Sequence, residues 1–204
     1  MTTHTKAIIF DFGGVLLDWN PRNLYRRYFP NSATAMEDFL AEVNFAAWNA
    51  EQDRGRPFAE GVEILSKQFP HRRQLIHAYH EHWEESIVGP IHGTVDILDQ
   101  LKCKGYPLYG LSNWSGETFP IARRQYNFFE SFDGIIISGE AGLIKPDPAI
   151  YKLMLDKIKR PAHDCVFIDD SLTNIEIAEK LGFSTIHFTS PSGLETDLRT
   201  MDIL

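Results

Sequence analysis

Cysteine is scarce: only Cys103 and Cys165 occur in 204 residues, and they form no CxxC pair. A disulfide framework is therefore not expected. Both sit in apolar surroundings and read as buried thiols. No apolar run reaches the length needed to span a bilayer, so no membrane helix is expected. Basic residues are outnumbered, 20 Lys and Arg against 28 Asp and Glu, for a formal net charge of -8. That balance argues against a broad nucleic-acid or anionic-membrane surface. Any anionic substrate would need a locally positive pocket made by a metal, a lysine or backbone amides. There is no internal repeat and no low-complexity segment. The first strand starts almost at once, leaving no room for a signal peptide, and a cytoplasmic location is the expectation.

What is present is organised around Lys6 to Trp19, KAIIFDFGGVLLDW. Ala7 to Phe10 is a continuous apolar run with β-branched members, the pattern of a strand buried on both faces. It ends in Asp11, a carboxylate costly to bury without a cation beside it. Gly13 and Gly14 follow, where the backbone can turn sharply and approach a ligand. Asn20-Pro21 reads as a helix N-cap with proline at the first helical position, opening a helix through Tyr28. From Ser32 to about Ser86 the periodicity is helical, with Met36, Phe39, Leu40 and Val43 on one face and Phe58, Val62, Leu65 and Phe69 on another. This block is near the size of a four-helix bundle. Its tryptophans, Trp19, Trp48 and Trp83, read as bundle core. His77, His80 and His82 read as a helix face rather than a metal site, because their spacing completes no ligand set. Arg22, Arg26 and Arg27 read as a solvated face.

After the helical block, strand and helix alternate. Strands are expected at Tyr106–Leu111, Gly134–Ser138, Cys165–Ile168 and Ser184–Phe188, with helices between them. Repeated βα units with right-handed crossovers imply an α/β protein with a doubly wound parallel sheet. In such sheets ligands bind at the carboxyl ends of the strands. Asp11, Ser112, Lys145 and the pair Asp169-Asp170 would all converge there. Each alone has an ordinary explanation: Asp169-Asp170 and Ser112 as helix caps, Lys145 as an exposed loop residue. Together they form a pattern.

Four segments, IIFDFGGVLLD, YGLSN, LIKPDPAIY and VFIDDSLTN, resemble the motifs of the haloacid dehalogenase superfamily in content, order and spacing. The resemblance implies a Rossmann-like catalytic core over 1–18 and 88–204, with a helical cap inserted over 19–87. It also implies a phosphoric monoester hydrolase whose nucleophile is Asp11, passing through an aspartyl-phosphate. Magnesium would be held by the Asp11 side chain, the Gly13 backbone carbonyl and Asp170, with Asp169 direct or just behind. Oxygen-only ligands suit that ion. Ser112, the Asn113 backbone amide and Gly14 would contact the phosphate, Lys145 would balance charge on the nucleophile, and Asn174 would orient the acid loop. The partner implied is a small phosphorylated metabolite, with neither nucleic acid nor membrane. The chain is similar to the glucose-1-phosphate phosphatase subgroup, which points to a sugar phosphate such as a sugar 1-phosphate.

The pattern departs from the superfamily at Gly13, where its phosphatases usually carry a second Asp acting as general acid and base. The 2-haloacid dehalogenases of the superfamily also lack that Asp, and a metal-free dehalogenase is the first rival. Those enzymes do not keep paired acids at the fourth motif, and Asp169 and Asp170 would repel a carboxylate substrate. A non-catalytic phosphometabolite-binding relic is the second rival, disfavoured because Asp11, Ser112, Lys145 and Asp170 are all retained. Asp18 is a nearby substitute for the missing acid, though a hinge or cap role is expected for it.

Overall fold

The computed structural model describes residues 5–204. The chain runs β1 (Ala7–Phe10), β2 (Leu17–Trp19), α1 (Pro21–Tyr25), α2 (Ala33–Glu42), α3 (Phe45–Asp53), α4 (Phe58–Gln68), α5 (Arg73–Glu81) and β3 (Ile87–Pro90). It continues through α6 (His92–Cys103), β4 (Leu108–Ser112), α7 (Phe119–Gln125), β5 (Gly134–Ile137), α8 (Ser138–Ala141) and α9 (Pro148–Ile158). It ends with β6 (Cys165–Asp169), α10 (Leu172–Lys180), β7 (Ser184–His187) and α11 (Pro191–Thr200).

The five-stranded sheet has the order β5-β4-β1-β6-β7 and is parallel throughout. The most apolar strand, β1, takes the centre: all four of its residues are fully buried, as expected for a strand covered by helices on both faces. Its neighbours are β4 and β6, with Phe10 in register with Gly110 and Ile168. The residues following Phe10, Leu111 and Ile168 therefore emerge side by side at one edge, where the strand order reverses.

One face of the sheet packs Ile9, Leu111 and Phe167 against Tyr151, Met154 and Ala178. The other face is continuous with the helical insert, through Phe10, Phe12, Trp114 and Phe119. Phe12 sits 4.9 Å edge-on to Phe129 and is stacked on Phe119 at 6.0 Å. These contacts fix the chain immediately after Asp11.

Between β2 and β3 the chain is helical: a short α1 followed by four longer helices, α2 to α5. Asn20 caps α1 as its sequence predicts, its side chain accepting from the Arg22 backbone N–H at 3.0 Å with Pro21 at the first position. The helix stops at Tyr25, however, and turns follow. The sequence did not reveal the antiparallel ribbon of β2 and β3, which pairs Leu17 with Pro90 and Trp19 with Ile87. Three or four residues with an irregular register carry too little alternation to be read. This ribbon carries the chain out of the sheet and back.

Cys165 is buried but Cys103 is exposed, correcting the expectation for the latter. On α6 the inward face is Thr94, Ile97, Leu98 and Leu101, and the 3.6-residue period turns Cys103 outward.

Candidate active site

Asp11 leaves β1 at the reversal point and is 8% exposed. Its Oδ1 accepts the Phe12 backbone N–H at 2.7 Å and lies 3.0 Å from Lys145 Nζ. Lys145 is almost wholly buried, and its Nζ donates to Asp169 Oδ2 at 2.6 Å and to the Leu111 carbonyl at 2.8 Å. Asp169 is fully covered. Its remaining capacity is taken by the Asn174 amide, at 3.0 and 3.1 Å to its two oxygens, and by the Ser171 backbone N–H at 2.8 Å. Asp170 is exposed, facing the open side. Ligand oxygens of Asp11, Asp169 and Asp170 lie within 4.8 Å of one another, and no other His, Cys, Asp or Glu group among the described residues is as compact.

The electrostatics follow from burial and crowding. Burial pushes the Asp11 carboxyl up to about 7; Lys145 opposes this, while Asp169 and Asp170 add to it. Burial also raises Asp170, again reinforced by Asp169. Burial would lower the Lys145 ammonium, yet Asp11 and Asp169 outweigh it and hold that group above its usual range. Three carboxylates with one lysine carry two negative charges in excess. That surplus, with oxygen donors only, fits a hard divalent cation between Asp11 and Asp170.

Gly14 has φ +77°, and a Cβ there would overlap the Asp170 carboxylate, so the glycine is required both by the turn and by the close approach. Gly13 differs: its backbone is not in the left-handed region, and the nearest atom to an added Cβ is Trp19 Cβ at 3.9 Å. Nothing local forbids a side chain at position 13.

The site opens into a cavity of about 360 Å³ between sheet edge and helical insert. Asp11, Gly13, Gly14, Ser112, Asn113 and Asp170 form its floor, bringing most of the sequence-predicted site residues together. Lys145, Asp169 and Asn174 stand behind that floor. Trp48 is core, its indole N–H bonded to the Gly61 carbonyl at 2.9 Å. Trp83 is core as well, buried as deeply as Trp48, and also borders the cavity, which Trp19, Trp114 and Tyr79 wall with it. Arg22 stands at its rim, paired with Glu37 at 2.6 Å. Asp18 lies exposed on β2 and does not line the cavity. His80 stacks on Phe58, and His77 and His82 lie beside Glu81 and Glu85.

Two polar residues of the insert also line the cavity and escaped the sequence reading, Asn49 and Asp53. Asp53 is the last residue of α3, and the only signal for it is an acid at a helix end before Arg54-Gly55.

The chain matches the haloacid dehalogenase-like hydrolase family over residues 5–182. It belongs to that family of hydrolases. It is 28% identical to sesquiterpene phosphatase astK of Aspergillus oryzae over 98% of both chains. It is 26% identical to drimenol cyclase drtB of Aspergillus calidoustus over 95% of its own length but only 36% of that protein's. A HAD family enzyme of Bacteroides thetaiotaomicron, solved with magnesium and inorganic phosphate, shares the fold with a TM-score of 0.66. That alignment covers 91% of this chain and 95% of the other at 24% identity. No helix in the described residues is long and apolar enough to cross a membrane.

Proposed function

We propose that this hydrolase is a magnesium-dependent phosphatase that cleaves a small phosphorylated metabolite through an aspartyl-phosphate on Asp11. The observation that carries the reading is the charge surplus: three carboxylates within 4.8 Å of one another, answered by a single lysine, at the floor of a cavity open on one side. The residues that would hold magnesium are Asp11, Asp170 and the Gly13 carbonyl, with Asp169 behind them holding Lys145. When bound, the ion supplies the positive charge that lets a carboxylate approach a phosphate dianion.

The chain's own residues do the rest. Asp11 Oδ1 is held by Phe12 N–H and Lys145, which leaves Oδ2 to attack phosphorus. Ser112, the Asn113 amide and the turn at Gly14 receive the phosphate oxygens, and Lys145 balances charge as the nucleophile reacts. Asn174 keeps Asp169 aimed at Lys145. Water then attacks the aspartyl-phosphate and restores Asp11. Residues 19–87 act as a cap over the core of 1–18 and 88–204, and the β2–β3 ribbon serves as the hinge.

A dehalogenase reading would bring a carboxylate substrate against Asp170 and a buried acid pair, which the charge balance disfavours. The walls favour a substrate with an apolar face: three indoles and Tyr79 can stack on a sugar ring or on an isoprenoid chain. The sesquiterpene phosphatase relative supports the second of these, and the first motif, with glycine at position 13 where an acid would protonate the leaving group, supports the sugar 1-phosphate.

The deciding experiment is a phosphate-release screen over sugar phosphates, isoprenoid phosphates and p-nitrophenyl phosphate, with magnesium and with chelator. A parallel halide-release assay on 2-chloropropionate completes it. Phosphate release that chelator abolishes is expected. Halide release that persists in chelator, with no phosphate release, would reverse the assignment.

A further inference from the structure

Position 13 carries no acid, so a phosphatase built on Asp11 lacks the group that protonates the departing oxygen. Of the acids in the helical insert and the hinge, Asp53 lines the same cavity as Asp11, Gly13 and Asp170. Its side chain is fixed rather than mobile. Asn49 Nδ2 donates to Oδ2 at 2.8 Å, and the Ser115 backbone N–H donates to the same carboxyl. The Ser138 hydroxyl bonds the Asp53 carbonyl, and a Cβ on Gly55 would lie 3.0 Å from the Gly139 carbonyl. The end of α3 is thus docked on the loop that follows β4 and on the start of α8.

We propose that Asp53, presented from the helical insert, is the general acid and base that serves in place of the acid missing at position 13. The inference rests on the phosphatase reading above. In the first half-reaction an Asp11 oxygen bonds to phosphorus and the phosphorus–oxygen bond to the leaving group breaks. The departing oxygen takes the Asp53 proton. In the second, Asp53 takes a proton from water as the water oxygen bonds to phosphorus. The bond to Asp11 then breaks, releasing inorganic phosphate and restoring both acids.

The electrostatics suit the role. Although one flank is open to the cavity, burial pushes the Asp53 carboxyl up to about 7, with Asp11 across the cavity adding to the rise. Its place at the C-terminal end of α3 disfavours negative charge further. The surrounding charged groups do not cancel this. Arg56 is bonded to Gln52 Oε1 and the Trp48 carbonyl, Arg54 lies outward near Glu51, and Arg22 pairs with Glu37. Tyr79 faces it from α5 as a neutral phenol, burial holding its ionisation well above the ordinary range. The charged residue of α8 is Glu140, an acid, and on α4 Glu63 pairs with Lys67 at the surface.

The test is Asp53→Asn in the full chain with magnesium, assayed on phosphate monoesters of graded leaving-group pKa. The variant is expected to lose about 10²–10⁴-fold on alkyl phosphates. On p-nitrophenyl phosphate, whose leaving group needs no proton, it should give a burst of one equivalent of nitrophenolate and accumulate aspartyl-phosphate in acid quench. Adding Gly13→Asp to D53N should restore alkyl turnover. Asn49→Ala, which keeps the carboxyl but removes a bond favouring its charged form, should move the alkaline limb of kcat up by roughly half a pH unit. Equal losses across the leaving-group series, or wild-type turnover of alkyl phosphates by D53N, would overturn the assignment while leaving the phosphatase reading intact. A wild-type protein that releases phosphate from no ester would instead sink both.

Discussion

The Asn113 carboxamide grips the backbone of Lys145 from both sides, donating to its carbonyl at 2.9 Å and accepting its N–H at 2.8 Å. Asn113 follows β4 and Lys145 lies on the loop before α9, so the clamp fixes the lysine's entry into the acid cluster across a gap in sequence. Asn113→Ala removes both bonds and should cost about 1–3 kcal/mol of stability. Because Lys145 Nζ must stay within 3.0 Å of Asp11, turnover should fall about 10–100-fold, by analogy with the loss of a supporting partner at a metal site. Thermal unfolding and kcat on the best ester from the screen measure the two effects.

Removing the lysine itself separates charge balance from catalysis. Lys145→Met leaves three crowded carboxylates with no cation, and breaking a buried pair in this way typically costs about 3–5 kcal/mol. The extra negative charge should also make magnesium bind more tightly, by several-fold, while turnover is lost. Calorimetric titration with magnesium, alongside activity, checks both. Weaker magnesium binding in the variant would mean that the lysine, rather than the acid surplus, organises the metal position.

The pH dependence of stability has a definite sign. Asp53 binds its proton more tightly folded than unfolded, its carboxyl standing near 7 against an ordinary 3.8. The folded state therefore holds more protons between those values, and its stability falls as pH rises through that window. In chelator, with Asp11 the same in both proteins, Asp53→Asn removes that dependence. The effect is on the order of 2–4 kcal/mol. The difference in Tm between variant and wild type should move in the variant's favour by roughly 5 °C or more between pH 5 and pH 8. An unchanged difference would show that Asp53 is solvated like a surface acid.

The parts of the site that could be read from sequence are those set by strand ends. Asp11, Ser112 and Asp169 each terminate a buried apolar run, and the pleat and parallel register deliver them to one edge. Asp53 had no such marker. It is one of 28 acids, it ends an ordinary helix, and only the docking of α3 on Ser115 and Ser138 turns it toward Asp11. The tryptophans were ambiguous for a related reason. Helical period separates inside from outside, but the inside of this insert includes both a core that is sealed, where Trp48 lies, and a core edge that borders the cavity, where Trp83 lies. The β2–β3 ribbon is held by partners about seventy residues apart, a pairing invisible to any local window.

The two adjacent glycines of the first motif should respond in opposite ways to the same substitution. At Gly14 the backbone is left-handed, which costs an alanine about 1–2 kcal/mol, and the new methyl would fall on the Asp170 carboxylate. Asp170 must then swing away from Asp11, so Gly14→Ala should weaken magnesium binding by about tenfold or more as one ligand loses its geometry. At Gly13 the backbone is ordinary and the methyl would stop 3.9 Å from Trp19 Cβ, a normal van der Waals contact. Gly13→Ala also keeps the backbone carbonyl proposed as a magnesium ligand. It should match the wild type in magnesium affinity and Tm, or gain a few tenths of a kcal/mol from lost chain entropy in the unfolded state. Titration calorimetry and thermal unfolding on the pair decide the matter. If Gly13→Ala were the damaging change and Gly14→Ala the silent one, Asp170 could not be the carboxylate that meets Asp11 across the metal position.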